Sequence, residues 1–191
     1  MRTRQENIIT HLPGIERSAR NAKTPLECFL LFFDKQMISD IVLHTNKKMA
    51  SKSSEWKDSP HYSETSVPEI KAVFGLLYLA GAFRNNHRHL YELWKTDGTG
   101  IDVFPCTMSQ RRFEFLITCL RFDNSDNREE RRRLDRLAPI RAIFDKFVTN
   151  FQAAYTPSEY LTIDEKLESF RGRCAFRQYM PNKPVLKFMH W

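Results

Sequence analysis

Apolar residues recur at the spacing of a buried helical face along most of this chain, and the period changes only near its end. The first such face is Leu26, Phe29, Leu30, Phe33 and Met37, continuing through Ile41 to Val42. Thr24, Pro25 and Glu27 open it, as a cap, a first-turn proline and the second member of a Thr-x-x-Glu capping box. Residues 44–65 (HTNKKMASKSSEWKDSPHYSET) are polar and aperiodic, which predicts a loop. Ser66 and Glu69 form a second capping box ahead of Ile70, Val73, Phe74, Leu77 and Ala80, with Gly81 as the stop signal. A short helix is expected over His87–Trp94, then a turn at DGTG 97–100. Thr107 with Gln110 marks another helix start, running through Phe113, Leu116 and Leu120. Pro139 opens the strongest pattern, in which Ile140, Ile143, Phe144, Phe147, Val148 and Phe151 share one face. Beyond Pro157 the period falls to two. Leu161 and Ile163 point one way, and Thr162 and Asp164 the other. The pattern therefore predicts a mainly α chain with a small C-terminal β segment and no internal repeat.

Composition is compatible with a packed core, at 41% hydrophobic and 13% aromatic residues over 191 positions. Fifteen phenylalanines against six glycines favour packed helices over linkers. A net charge of +7 and a pI near 9.3 favour an anionic partner, nucleic acid ahead of a membrane surface. Cys28, Cys106, Cys119 and Cys174 have no C-x-x-C spacing and read as reduced thiols. The N-terminus MRTRQENIITHLPG has no apolar signal stretch, and the longest uncharged apolar run, 72–83, is too short to span a bilayer. Residues 1–23 are polar, basic and broken by Pro13 and Gly14, so a flexible basic arm is expected.

Few residues could carry chemistry. Asp164, flanked by Ile163 and Thr162 on a strand, suits magnesium, which takes hard oxygen ligands. Pattern alone favours a plainer role, a surface aspartate paired with a nearby arginine. Arg171, Arg173, Arg177, Lys183 and Lys187 alternate with Phe170, Phe176 and Tyr179. Guanidinium forks and aromatic faces in that order suit phosphates and sugars, and equally suit a hairpin with its aromatics inward. The run NREERRRLDR (127–136) sets arginines against Glu129, Glu130 and Asp135, and Glu129 can pair with Arg133 at i,i+4. A solvated, self-neutralising helix face is favoured there over a DNA contact. His87 and His89 have no cysteine or acidic partner nearby, and no nucleophilic triad or phosphate-cradling glycine loop is present.

Six strings taken together resemble one family. ENIITHLPG (6–14), LFFDKQMISDIVLHTN (31–46), EIKAVFGLLYLAGAF (69–83), WKTDGTG (94–100), LRFDNSDNREERRRLDRLAPIR (120–141) and LTIDEKLESFRGRCAFRQYMPNKP (161–184) are similar to piggyBac transposases and their domesticated derivatives. The resemblance implies a helical dimerisation and DNA-binding module over 24–155, followed over 156–191 by the start of an RNase H-like catalytic domain. It matches Asp164 to the first of three catalytic aspartates, which in that family hold two magnesium ions for TTAA-targeted cutting and strand transfer. That overturns the plainer reading of Asp164. Arg171, Arg173, Arg177 and Lys183 fall in the matching F-R-G-R-C segment as DNA-backbone contacts.

The departures imply as much. Where the family continues with a strand resembling K-Y-G-I-K, this chain reads VLKFMHW, and residues 169–191 contain no acid. The other two aspartates and the cysteine-rich zinc domain have no counterpart, so the catalytic domain is expected to be truncated, with no zinc. Asp164 alone would hold magnesium weakly, and no functional cofactor is expected. The function implied is a DNA-binding, catalytically inactive piggyBac-derived protein. The alternatives are a fragment of an active DDD-type transposase and a non-functional remnant. The expected partners are duplex DNA and, for assembly, a second copy or a related full-length transposase, with no membrane. The expected location is the nucleus.

Overall fold

The computed structural model describes residues 12–56, 61–83, 88–158, 160–162, 166–169 and 187–190. They form a mostly helical chain that divides into two compact units, Met1–Phe33 with Asn127–Trp191, and Asp34–Asp126.

In the first unit, α1 (Pro25–Phe32) has the expected capping box. Glu27 N–H donates to Thr24 Oγ1 at 3.2 Å, and Glu27 Oε2 accepts from the Thr24 and Lys23 amides at 2.9 and 2.8 Å. Those amide bonds hold the Glu27 carboxyl below its usual value. The helix packs on α9 (Arg141–Ala154) through aromatic rings. Phe32 sits 5.8 Å from Phe147 and 5.9 Å from Phe151, and Phe33 sits 5.5 Å from Phe147. Asn150 Nδ2 donates to Phe32 O at 3.0 Å, satisfying a carbonyl at the end of α1. The apolar face expected on α9 is present but half-covered: Ile143, Phe147 and Val148 are half-buried, while Phe144 and Phe151 are exposed. The helix also starts at Arg141, two residues after Pro139, because 136–140 form turns.

The described part of the N-terminal arm is tied down. Gly14–Ile15 (β1) pairs antiparallel with Tyr155–Thr156 (β2), and Ser18 Oγ donates to Ala153 O at 3.3 Å. Gly14 reaches this edge at φ +129°, where a side chain would be strained. Two further strands, Lys166–Ser169 (β3) and Lys187–His190 (β4), make a second antiparallel pair.

In the second unit, the face that began on α1 does not continue as one helix. Phe33 ends α1 in a non-helical conformation, and Asp34 caps a new helix, α2 (Lys35–Ser51), by accepting from Met37 N–H at 2.8 Å. The loop expected from residue 44 is therefore helix as far as Ser51, followed by a short α3 (Ser53–Trp56). Its inward positions carry a polar residue, which hid the period. Thr45 is fully buried beside Ile41 and Met49, and its Oγ1 accepts from Arg121 N–H at 3.1 Å. Helix α4 (Val67–Ala82) follows, with Ile70, Val73 and Leu76 buried. It runs past Gly81, which lies inside it. Short α5 (Leu90–Leu93) and α6 (Val103–Thr107) lead to α7 (Gln110–Cys119). Thr107 is the last residue of α6 rather than a cap; Ser109 caps α7, accepting from Arg112 N–H at 3.3 Å.

The core of this unit gathers Met49, Val73, Leu76, Leu93, Phe104, Phe113, Leu116 and Cys119. Trp94 stands 5.0 Å from Phe104 and 5.1 Å from Phe113, with its indole N–H donating to Met108 O at 2.8 Å. Burial pushes the Cys119 thiol up, so it stays neutral among apolar neighbours. The DGTG turn needs both glycines. Gly98 sits at φ +86°, and a Cβ on Gly100 would lie 2.0 Å from Lys95 O.

Arg112 and Glu69 join α7 to α4. Glu69 was expected to close a capping box with Ser66, but the Ser66 side chain makes no cap bond. Glu69 instead accepts Thr65 Oγ1–H at 2.6 Å and a fork from Arg112, Nε at 2.8 Å and Nη2 at 2.7 Å. Arg112 spends its other donors on the carbonyls of His61, Ser63 and Glu64 at 2.7, 3.0 and 3.4 Å. Burial raises the Glu69 carboxyl, and the Arg112 and Thr65 bonds more than reverse this, so it lies below its usual value of 4.5.

Arg112→Met takes the guanidinium fork from the half-buried Glu69 carboxylate, leaving it Thr65 Oγ1, and takes its bonds from three carbonyls; it is expected to cost about 3 kcal/mol, lowering the melting midpoint by roughly 6–12 °C. Adding Glu69→Met should recover part of the loss, because both partners are then apolar. A depressed carboxyl stabilises the fold above its unfolded pKa and loses that contribution as pH falls through its folded value. Melts below pH 4.5 should therefore show a steeper acid loss in the parent than in Glu69→Gln. An equal loss in both would refute the ion-pair account. Thr45→Val, which leaves the Arg121 amide without its acceptor, should cost about 1–2 kcal/mol in urea unfolding.

Candidate nucleic-acid interface

Asp164, Arg171, Arg173, Arg177 and Lys183, the site residues expected from sequence, all lie outside the described residues. The backbone on either side of them is described. Leu161 and Thr162, expected to begin the strand, are not in a strand; β3 begins at Lys166, two positions after Asp164. Its register with β4 pairs Lys166 with His190, Leu167 with Met189, Glu168 with Phe188 and Ser169 with Lys187. The last pairing sets the two ends of the basic 170–186 segment side by side. Among the described residues, no group of three His, Cys, Asp or Glu side chains could hold a metal ion.

The charge is unevenly divided. Asp34–Asp126 contains 12 Lys and Arg and 12 Asp and Glu, and is neutral. Met1–Phe33 with Asn127–Trp191 contains 18 Lys and Arg against 11 Asp and Glu, so the whole +7 belongs to that unit. Within the neutral unit, acids and bases are paired off, as in Glu69–Arg112, Lys52–Glu55 and Lys47–Asp126. Sequence reading took the net charge as a property of the whole chain. The signal for its division was available in the residue counts, but the boundaries at Phe33 and Asp126 were not.

The densest basic stretch of the charged unit is α8 (Arg128–Leu134), which has no buried residue. Arg131 anchors it, with Nε donating to Asn127 Oδ1 at 3.0 Å and Nη1 to Ala138 O at 2.8 Å. Beyond its end, Asp135 accepts a fork from Arg141, Nε at 2.7 Å and Nη2 at 3.0 Å, and the Leu137 amide at 2.9 Å. The Arg141 fork and then the Leu137 amide hold the Asp135 carboxyl below its usual range, and the same fork raises Arg141 further. Glu129 and Arg133, expected to pair, are both exposed and form no ion pair among the described residues. In water such a pair gains little over separate hydration.

An open depression of about 480 Å³ lies in the neutral unit, lined by Ser63, Ser66, Pro68, Glu69, Thr107 and Arg112. Its charged wall is the fork already described. All five N–H donors of Arg112 are spent within the protein. No helix among the described residues is long and apolar enough to cross a membrane.

Comparison with known proteins agrees with the resemblance carried by the six strings. Residues 24–190 match the family described as Transposase IS4. Human PiggyBac transposable element-derived protein 2 is 29% identical over 174 residues, covering 91% of this chain and 27% of that protein. Human PiggyBac transposable element-derived protein 3 is 26% identical over 163 residues, covering 85% of this chain and 26% of that protein. The chain thus spans about a quarter of the length of these relatives. A cryo-EM structure of a piggyBac transposase synaptic complex with hairpin DNA matches at a TM-score of 0.83 and 39% identity. That match covers 93% of this chain and 37% of the solved one. With a family match over most of its length and a fold close to a solved member, the chain belongs to the piggyBac transposase family.

Proposed function

We propose that this chain is a duplex-DNA-binding protein of the piggyBac type and that, by itself, it does not cut DNA. The observation that carries the binding half is the likeness, at 39% identity over 93% of the chain, to a transposase solved with hairpin DNA. The excess of seven positive charges in one unit supplies the sign that phosphate binding requires. Arg171, Arg173, Arg177 and Lys183 are assigned as DNA-backbone contacts in the segment between β3 and β4. The helical part over 24–155 would serve dimerisation and DNA binding, and 156–191 would begin an RNase H-like fold. A second copy or a full-length transposase would be the protein partner, and the nucleus the place of action.

The catalytic half turns on the donor set. Asp164 is assigned as one ligand of the magnesium centre. Bound magnesium would supply Lewis-acid activation of a phosphoryl oxygen and of the attacking hydroxyl. The acids that adjoin Asp164 in sequence do not by themselves make a two-ion centre. Glu165 and Glu168 are the acids that follow Asp164, they lie on the same short stretch, and 169–191 hold none. Ligands for two ions must converge from separate strands, which one local run of backbone cannot do. Strands carrying two more aspartates would have to come from elsewhere for this segment to take part in cleavage.

Two measurements on the 191-residue chain test the two halves. Mobility shift of a 30-base-pair duplex should show binding at 50 mM salt that weakens about 10²-fold or more by 200 mM, as counterion release dictates. No retardation at the lowest salt would sink the binding half. Incubation with supercoiled plasmid and magnesium should give no nicking above background, with Asp164→Ala indistinguishable from the parent. Magnesium-dependent nicking abolished by Asp164→Ala would establish an enzyme instead.

A further inference from the structure

We infer that α8 and the turn after it form a second phosphate-contact surface, made by Arg132, Arg133 and Arg136 and separate from the segment between β3 and β4. This rests on the DNA-binding reading above and adds to it a site of contact within the helical region.

Burial does not explain the helix. A helix in a folded protein ordinarily earns its place by covering apolar surface, yet α8 buries none of its seven residues, and Leu134 is 94% exposed. Internal pairing does not explain the arginines either. Arg132, Arg133 and Arg136 are all exposed, and none has a carboxylate in ion-pair range among the described residues. Arginines with a structural task look different in the same stretch. Arg131 closes onto Asn127 and Ala138, and Arg141 forks onto Asp135. Complementing the helix dipole is a task for which Arg131, in the last turn, already suffices.

The surroundings hold these side chains in place. The Arg131 bonds fix α8 at both ends, and the Asp135–Arg141 fork fixes the turn carrying Arg136 against the first turn of α9. The result is three unneutralised guanidinium groups within five residues on a braced backbone. They stand in the unit that carries all the excess charge, while the other unit is neutral. Guanidinium forks match phosphate oxygens, and a preorganised base loses less freedom on binding. The partner argued for is duplex DNA, since the transposase of like fold was solved with hairpin DNA.

The test compares three folded proteins on one 30-base-pair duplex by fluorescence anisotropy across 50–300 mM salt. They are the parent, R132A/R133A/R136A, and the control K35A/K71A/R111A, which removes the same charge from the neutral unit. The arginine variant should bind about tenfold or more weakly at 100 mM salt, with its log–log salt slope smaller by about 2–3. The control should match the parent, and R132K/R133K/R136K should keep most of the binding. Circular dichroism and melting report whether each variant is folded, and R132Q/R133Q/R136Q, which removes the same charge at greater side-chain length, gives the reading if the alanine variant is not. Equal weakening in the alanine variant and the control would show that net charge alone governs affinity, and would overturn the α8 surface. Unchanged affinity and slope in the alanine variant would overturn it while leaving DNA binding intact. A parent that binds no DNA removes the DNA-binding reading and this one together. Tighter, α8-dependent binding of phosphatidylserine vesicles than of duplex would assign the surface to a membrane instead.

Discussion

The helical unit Asp34–Asp126 depends on one guanidinium group. Arg112 leaves α7, forks onto Glu69 in the first turn of α4, and gathers the carbonyls of His61, Ser63 and Glu64 from the connecting chain. Without it, the Glu69 carboxylate would lose its charged partner, and the exposed Ser63 and Glu64 carbonyls would turn to water instead of to α7. Asn46 on α2 clasps the same connection from the other side, donating to Thr65 O and accepting from Thr65 N–H at 2.9 and 2.8 Å. Through Thr65, Glu69 and Arg112, three helices are registered to one another by polar contacts. The apolar core between α4 and α7 then packs at a distance already set. Such polar networks add less net energy than apolar burial but specify one arrangement among many that would bury similar area.

The same unit is electrically neutral. Its acids and bases are matched twelve to twelve, and several are matched in contact. A unit whose charges are mutually satisfied offers little attraction to a polyanion. The other unit follows a different rule. It buries few side chains fully, holds α1 to α9 by phenylalanine rings, and carries more bases than its acids can pair. Packing specificity and charge are thus segregated along the chain, and the segregation falls where the fold divides.

How much of this was legible before the structure depends on the kind of signal. Local signals read well. The Thr24–Glu27 box, the DGTG turn and the inward Ile70 and Val73 of α4 act within one or two turns of backbone, although Leu76 is buried there and the expected Leu77 is exposed. Signals that need a distant partner did not read. Thr45 is polar and breaks the apolar period of α2, and it is buried because it meets the Arg121 amide 76 residues away. Glu69 has the spacing of a capping box, but the competing partner, Arg112, lies 43 residues on. Asp34 was a different kind of miss. Its capping role is local, yet Phe33 and Met37 on either side kept the apolar rhythm unbroken across the boundary. The family was legible because six separated strings carry more information than any element. Asp164 and the arginines after it owe their assignment to that resemblance, and their own neighbourhood adds nothing to it.

Binding and cutting place unequal demands on such a chain. Phosphate contacts add roughly independently, each contributing its own counterion release, so a basic surface works in proportion to how much of it is present. Two-ion chemistry has no such gradation. It requires carboxylates from several strands to meet within a few ångströms of one phosphorus, and a single aspartate supplies neither the second ion nor the geometry. Affinity can therefore be lost or gained in steps, whereas two-ion hydrolysis is present or absent as a whole. The division of charge follows the fold: the whole excess of cations belongs to Met1–Phe33 with Asn127–Trp191, while Asp34–Asp126 balances twelve bases with twelve acids.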